Sequence, residues 1–354
     1  MPTKARIAVI GTGWWSTYSH IPALQANPDA ELVAVCDRDP EKLQAAARAY
    51  NIEQTYEDYR AMIEQTRPDG VVVATPHATH YAITKTCLLQ SLHVMLEKPM
   101  TLYASEAREL VDLARTRERE VIIGYTNNYS SHARRAREVM QSGVLGPVQY
   151  VNGVMISRVV EFLRGDSHPD FGRTVFPVHG PGAVYSEPSL SGGGQGHLQI
   201  THLAGLLFFV TGLRARRVLG LMHNHGLAVD LVDVMAVEFE GGALGTVGGS
   251  GNAYQGKLDL QIHCERGSID MDLAAGTTTI RGEDGLHEEL ERQSEADRVA
   301  GRFATINNLV DVVLRKASNG APGEVGWRAV ELLDAAYRSA ANGGAPVTIE
   351  SLYG

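Results

Sequence analysis

Five short apolar runs, each followed by an amphipathic stretch, occupy the first ~125 residues: "RIAVIG", "ELVAVCD", "GVVVATP", "HVMLEKP" and "EVIIGYT". Segments such as Val71-Val72-Val73 are apolar on both faces. A strand of that kind must be covered on both sides, as happens in a parallel sheet. The stretches between them, "DPEKLQAAARAY", "YRAMIEQT", "HYAITKTCLLQ" and "TLYASEARELVDLARTRE", carry helical spacing. Strand–helix alternation of this sort predicts a doubly wound α/β domain with a parallel sheet over residues 1–125.

The pattern changes after "SSHARRAREVMQSGVLGP", which reads as a helix stopped by Gly143 and Pro147. Strand-like segments now follow one another: "VQYVNGVMISRVVEFL", "RARRVLGLMHN", "LVDVMAVEFEGGALGTVGGSG", "LDLQIHCERGSIDMDL" and "TTTIRG". Helices are expected near 302–318 and 326–341. A chain of 354 residues is long for a single core. Residues 126–354 therefore read as a second, α+β domain with a large, mostly antiparallel open sheet. Residues 164–194 form a Gly-, Pro- and His-rich stretch without a period, and a loop that long is more often functional than idle.

Bulk properties narrow the function. Hydrophobic residues make up 44% and charged ones 21%, as in globular proteins. A net charge of −9 without a basic block argues against nucleic acid. "LAGLLFFVTGL" is too short to span a bilayer. No signal peptide is visible at the N-terminus. Cys36, Cys87 and Cys264 stand far apart and form no CxxC pair, so they read as buried thiols of a cytoplasmic protein. The histidines have no metal-ligand spacing with carboxylates, and no metal is expected.

The loop "GTGWW" follows the first strand and precedes a helix. In that context Gly11 makes a tight turn, Thr12 lies within the loop, and Gly13 lets backbone approach a pyrophosphate at a helix N-terminus. Ser16 stands where a third glycine would serve packing. Asp37 closes the second strand, 24 residues after Gly13. An acidic residue there accepts ribose hydroxyls and repels a 2′-phosphate, which favours NAD over NADP. Arg38 beside it could tolerate that phosphate. Trp14 or Trp15 is expected against the pyrophosphate or nicotinamide ribose.

"ATPHATHYAI" and "EKP" each end a predicted strand, where the ligand crevice of an open α/β sheet lies. Lys98 of "EKP" would project into it. With the GxG loop, Asp37, "TPHATH", "GYTNNYS" and a Gly-rich approach to a helix bearing His202, the ordered set resembles the Gfo/Idh/MocA family of NAD(P)-dependent oxidoreductases. The resemblance implies Lys98 as catalytic lysine. It also implies a cofactor lining of Thr75, Pro76, His80, Glu97 and Asn127; His77 is a further candidate for the cofactor and Tyr129 for the substrate. It further implies a homodimer or homotetramer contact on the open sheet, and hydride transfer to or from a ring carbon of a sugar or polyol.

One motif departs from that pattern. Many members carry Asp-x-x-x-His on the first helix of the second domain; here His202 falls on the histidine, but the aspartate position is Leu198. Helical spacing puts Gln195 and Gln199 on the face of His202. His202 and Lys98 must then share the proton. Arg158, Arg164, Arg173, His168 and His179 form a local basic cluster that suits an anionic group, or pairs with Glu161, Asp166 and Asp170. The leading expectation is an NAD-dependent oxidoreductase on a sugar, sugar acid or cyclitol. The alternative is a redox-neutral NAD-dependent glycoside hydrolase, with an anionic glycoside such as a sulfoquinovoside as one candidate.

Overall fold

A computed structural model describes residues 4–166, 178 and 180–354. The first domain holds β1 (Ala5–Ile10), β2 (Ala30–Cys36), β3 (Thr55–Tyr56), β4 (Gly70–Val73), β5 (His93–Leu96) and β6 (Val121–Ile123). They form one parallel sheet in the order β3-β2-β1-β4-β5-β6. Helices α1 (Ile21–Ala26), α2 (Pro40–Tyr50), α3 (Tyr59–Thr66), α4 (His80–Leu89) and α5 (Ala104–Thr116) connect them. Residues of β4 are buried on both faces, as their unbroken apolar run requires. The strand order reverses between β1 and β4, which opens a crevice at their carboxyl ends.

The second sheet is built from β7 (Val148–Arg158), β8 (Ala215–His223), β9 (Val232–Phe239), β10 (Leu244–Ser250), β11 (Asn252–Cys264), β12 (Gly267–Asp272), β13 (Thr277–Gly282), β14 (His287–Leu290) and β15 (Val347–Thr348). Its order is β14-β13-β12-β11-β7-β10-β9-β8-β15, and every pairing is antiparallel except β7 with β10. Helices α6 (Ser131–Ser142), α7 (Val160–Arg164), α8 (Pro188–Ser191), α9 (Thr201–Thr211), α10 (Glu295–Val313) and α11 (Gly323–Ala341) complete the chain. The strand-like reading of "VVEFL" is corrected: β7 stops at Arg158 and α7 begins at Val160. Helix α10 starts earlier than expected because Ser294 and Asp297 form a capping box.

Helix α9 is buried on almost every side. A helix apolar all round belongs between two layers. Leu203 lies against β7, where a Cβ on Gly153 would come within 3.1 Å of it. Gly205 faces Tyr125 of the first domain so closely that an added Cβ would sit 2.7 Å from its ring. Helix α9 thus locks the second sheet onto the first domain. The opposite face of the second sheet exposes Leu221, Val234 and Leu244. No described helix is long and apolar enough to cross a membrane.

Gly11 sets the apposition of β1 and β4 at the crevice. Its φ is +99°, and a Cβ there would lie 2.3 Å from Ala74 O. Gly11→Ala combines a left-handed backbone with a backbone clash and should lower stability by about 1–3 kcal/mol or more. Thermal unfolding measures this; an unchanged Tm would contradict the strain.

Candidate active site

The crevice at the switch point opens into a cleft of about 1380 Å³ between the two domains. On its first-domain side lie Gly13, Trp14, Trp15, Asp37, Arg38, Thr75, Pro76, His77, His80, Glu97 and Lys98, with Asn127 just past the domain boundary. On its second-domain side lie Arg158, Leu198, Gln199 and His202.

Gly13 leaves open space: a Cβ there would meet nothing within 4 Å. That cradle suits a pyrophosphate. The carboxylate of Asp37 accepts the Thr12 N–H at 2.7 Å and the Thr12 hydroxyl at 3.2 Å, while its other oxygen accepts the Asp39 N–H at 3.0 Å. It therefore buttresses the glycine loop from the end of β2. A carboxylate has about four lone-pair sites, so capacity for a ribose hydroxyl remains. After Trp15 the chain widens into a π turn over Ser16–His20, and Ser16 is buried at a packing position. A dinucleotide fits these residues: open backbone at Gly13 and a carboxylate at the end of β2, both lining one large cleft.

Glu97 ends β5 and is the charged centre of the cleft floor. The Trp15 indole donates to its Oε1 at 3.1 Å, and the Lys98 N–H donates to its Oε2 at 3.2 Å. His20 Nε2 lies 3.0 Å from Oε1, close enough to pair although poorly aligned as a hydrogen bond. Gly124 makes room, since a Cβ there would come within 2.8 Å of the carboxylate. Burial alone would push the Glu97 carboxyl up. The His20 ring and the charge of Lys98 outweigh it and hold the carboxyl at about 2. His20 and Gly124 did not stand out in the sequence; only their distance from Glu97 reveals them.

Lys98 reaches across the domain boundary. Its Nζ donates to the main-chain carbonyl of Leu198 at 2.7 Å. Burial lowers its pKa to about 8, with the Glu97 charge partly opposing. His202 follows on α9, edge-on to Tyr125 with ring centroids 6.3 Å apart. Its Nδ1 is buried without a hydrogen-bond partner. Burial, and then the Lys98 ammonium, push its pKa down to about 3, so the ring is neutral near pH 7.

The expected stripe of Gln195, Gln199 and His202 is split. A π turn occupies Gly196–Ile200, and its wider winding breaks the regular helical spacing. Gln199 stays beside His202 on the cleft. Gln195 turns to β7 and is fully buried there, donating to Met155 O and accepting from Ser157 Oγ, both at 3.2 Å. Tyr129 also points elsewhere: its hydroxyl donates to Asn308 Oδ1 at 2.8 Å. Arg164 is exposed at the end of α7 and does not line the cleft. Arg158 does line it, exposed and 3.7 Å from Glu161. His168, Arg173 and His179 lie outside the described residues.

His80 ties the two first-domain loops together, with Nε2 2.9 Å from Thr75 O and Nδ1 2.7 Å from Pro99 O. His77 Nδ1 lies 2.9 Å from Ser191 O at the end of α8. Trp14 packs against Trp15 and Phe162, with centroids at 5.4 and 5.3 Å, and Tyr185 extends this wall at 6.0 Å from Phe162. Tyr185 lies in the stretch without a period, and Phe162 in the segment read as strand, which hid them.

Residues 5–125 match the oxidoreductase family, NAD-binding Rossmann fold, of GFO/IDH/MocA type. Residues 133–270 match the GFO/IDH/MocA C-terminal domain, and 215–349 the oxidoreductase family C-terminal alpha/beta domain. Over 143 residues the chain is 34% identical to a D-glucoside 3-dehydrogenase of Escherichia coli, a stretch covering 40% of this chain and 41% of that one. Matched stretches span about two-fifths of the length of the first such relatives. An oxidoreductase domain protein from Kribbella flavida superposes with a TM-score of 0.82 at 20% identity, covering 98% and 100% of the two chains. A levoglucosan dehydrogenase in complex with NADH and L-sorbose superposes with a TM-score of 0.81 at 16% identity, covering 99% and 100%. These two likenesses show the fold.

The charge on Glu97 supports that on Lys98. Glu97→Gln should therefore lower the pKa of Lys98 below about 8. It should also destabilise the chain by about 1–3 kcal/mol, because the buried donors lose a charged acceptor. The pH dependence of Lys98 acylation, read by mass spectrometry, tests the first point; a rise in pKa would be the wrong sign.

Proposed function

Because the chain belongs to the GFO/IDH/MocA oxidoreductase family and carries its NAD-binding Rossmann domain, we propose that it oxidises a ring hydroxyl of a sugar, sugar acid or cyclitol, with Lys98 handling the hydroxyl proton and His202, expected to share it but too acidic to do so near pH 7, orienting the hydroxyl. The observation that carries this reading is the buried Lys98 amine in the cleft, held on Leu198 O beside a neutral His202. A general base works best with a pKa near the operating pH. When bound, the nicotinamide supplies the hydride acceptor. The neutral Lys98 amine takes the hydroxyl proton in oxidation, and its ammonium returns one in reduction. His202 is a neutral ring with an unpartnered nitrogen, suited to orienting the same hydroxyl. The aromatic wall of Trp14, Phe162 and Tyr185 keeps water from one side of the cleft. Named relatives support the substrate class: the Escherichia coli relative is a D-glucoside 3-dehydrogenase, and a Haloarcula marismortui relative is a D-xylose 1-dehydrogenase.

The second reading uses the same residues for redox-neutral hydrolysis of a glycoside. Leu198 in place of a carboxylate, and Arg158 at the cleft, are what favour it, with a sulfonated sugar among the candidates. The two readings separate on one panel of sugars, sugar acids and glycosides. Net oxidation accumulates NADH in step with substrate consumed; hydrolysis releases aglycone with catalytic NAD and no net NADH.

In either case Lys98→Ala should lower kcat by about 10²–10⁴-fold with dinucleotide affinity little changed. The oxidation rate should rise with pH through about 8, since the neutral amine is the base. A Lys98→Ala enzyme with full activity would remove the assignment. Asp37 favours NAD by the argument from ribose hydroxyls. Asp37→Ala should weaken NAD binding by about tenfold or more and narrow the NAD/NADP ratio. Titration of the variant with each cofactor checks it, and an unchanged ratio would refute it.

A further inference from the structure

The glycine run before α9 has a packing cause outside the cleft. A Cβ on Gly194 would lie 2.0 Å from Asp230 O, and one on Gly193 or Gly196 would lie 2.2 or 2.6 Å from the Tyr337 hydroxyl. Asp230 precedes β9, and Tyr337 projects from α11. Both press against the start of the helix that carries the site.

Their polar atoms take that helix start in order. Asp230 Oδ1 accepts the Gly194 N–H at 2.7 Å and the Tyr337 O–H at 2.9 Å. The main-chain oxygen of Asp230 accepts the Gln195 N–H at 3.0 Å. Asp230 Oδ2 accepts the Gly196 N–H at 2.8 Å. The Tyr337 hydroxyl accepts the His197 N–H at 3.3 Å, and its ring stacks on His197 at 4.4 Å. Four successive N–H groups at a helix start, normally without intrahelical partners, are therefore satisfied by two residues. The next N–H, of Leu198, closes onto Gly194 O at 2.8 Å. Leu198 O then accepts Lys98 Nζ.

Asp233 lies beside Asp230 and is fully buried, with both oxygens lacking a hydrogen-bond partner. Burial first, and then the Asp230 charge, push its carboxyl up to about 9. Asp233 is thus neutral near pH 7 beside the carboxylate that grips the helix start.

We propose that Asp230, backed by Tyr337, is a positioning residue for Lys98: it fixes the turn Gly196–Ile200 whose Leu198 carbonyl holds the amine. The proposal takes Lys98 as the proton-handling group of the reaction above, but the placement of the amine is measurable without turnover. The ammonium donates to a carbonyl more strongly than the neutral amine does, so loss of an ordered Leu198 O disfavours the charged form.

The test uses full-length Asp230→Asn and Tyr337→Phe, with folding checked by circular dichroism and NADH binding by fluorescence. In Asp230→Asn an amide N–H₂ faces one of the two backbone donors. The Lys98 titration midpoint, read from the pH dependence of acetylation at that lysine, should fall from about 8 to about 7. Turnover should fall about 10²-fold through kcat, with KM and the NADH Kd changed less than about threefold, because a small misplacement acts on the chemical step. Tyr337→Phe should move both readings the same way by less. Should Asp230→Asn fail to fold, Tyr337→Phe decides alone. An unshifted Lys98 midpoint in the folded variants overturns the proposal, as does a loss of NADH affinity equal to the loss in kcat. An inactive panel with a shifted midpoint would sink the functional reading and leave the positioning intact.

Discussion

The hydrogen bond from Lys98 to Leu198 O joins the end of β5 in the first domain to the helix start of the second. It is one contact, yet most of the site is arranged so that it can form. Gly11 lets β1 and β4 close up at the crevice beside it. His80 clips the Thr75 loop to Pro99, the residue after Lys98. Gly205 and Tyr125 seat α9 against the first domain, which brings Leu198 within reach.

Low dielectric then sorts the charges. Three titratable groups share the cleft floor, and burial acts on each differently. Glu97 keeps its charge because two N–H donors, the His20 ring and the Lys98 charge converge on it. His202 loses its charge because burial and the neighbouring ammonium outweigh the Glu97 charge, and its buried Nδ1 has no hydrogen-bond partner. Lys98 lies between: it has one neutral acceptor and one carboxylate at hand, and it titrates nearest to neutrality. The separation of roles comes from partners, not from residue type.

Much of this was legible in the sequence, for specific reasons. Both-face apolar runs identified the buried parallel strands, and Gly11, Asp37 and Lys98 follow from their ends because ligands gather at strand carboxyl ends. What stayed hidden was whatever breaks a period. The π turns at Ser16–His20 and Gly196–Ile200 shift side chains away from regular helical spacing, so Gln195 was read onto a face it does not share. Strand β15 is only two residues long and β3 likewise, too short to carry alternation. Tyr129 is drawn off by Asn308, a partner 179 residues away that no local pattern announces.

The leucine at position 198 is the departure with the most consequence. A carboxylate as the lysine's partner would be a second titrating group, and the two would share macroscopic pKa values. A main-chain carbonyl accepts the same hydrogen bond but carries no proton and no net charge. The Lys98 ammonium is then stabilised less than by an ion pair, and burial prevails in setting its pKa. Holding a backbone oxygen in place, however, takes a fixed turn. A side chain can rotate to meet a lysine; a carbonyl cannot. The acceptor's position therefore depends on whatever grips the first residues of the helix, and a buried carboxylate in the second domain, out of the cleft, is tied through one turn to a lysine in the first.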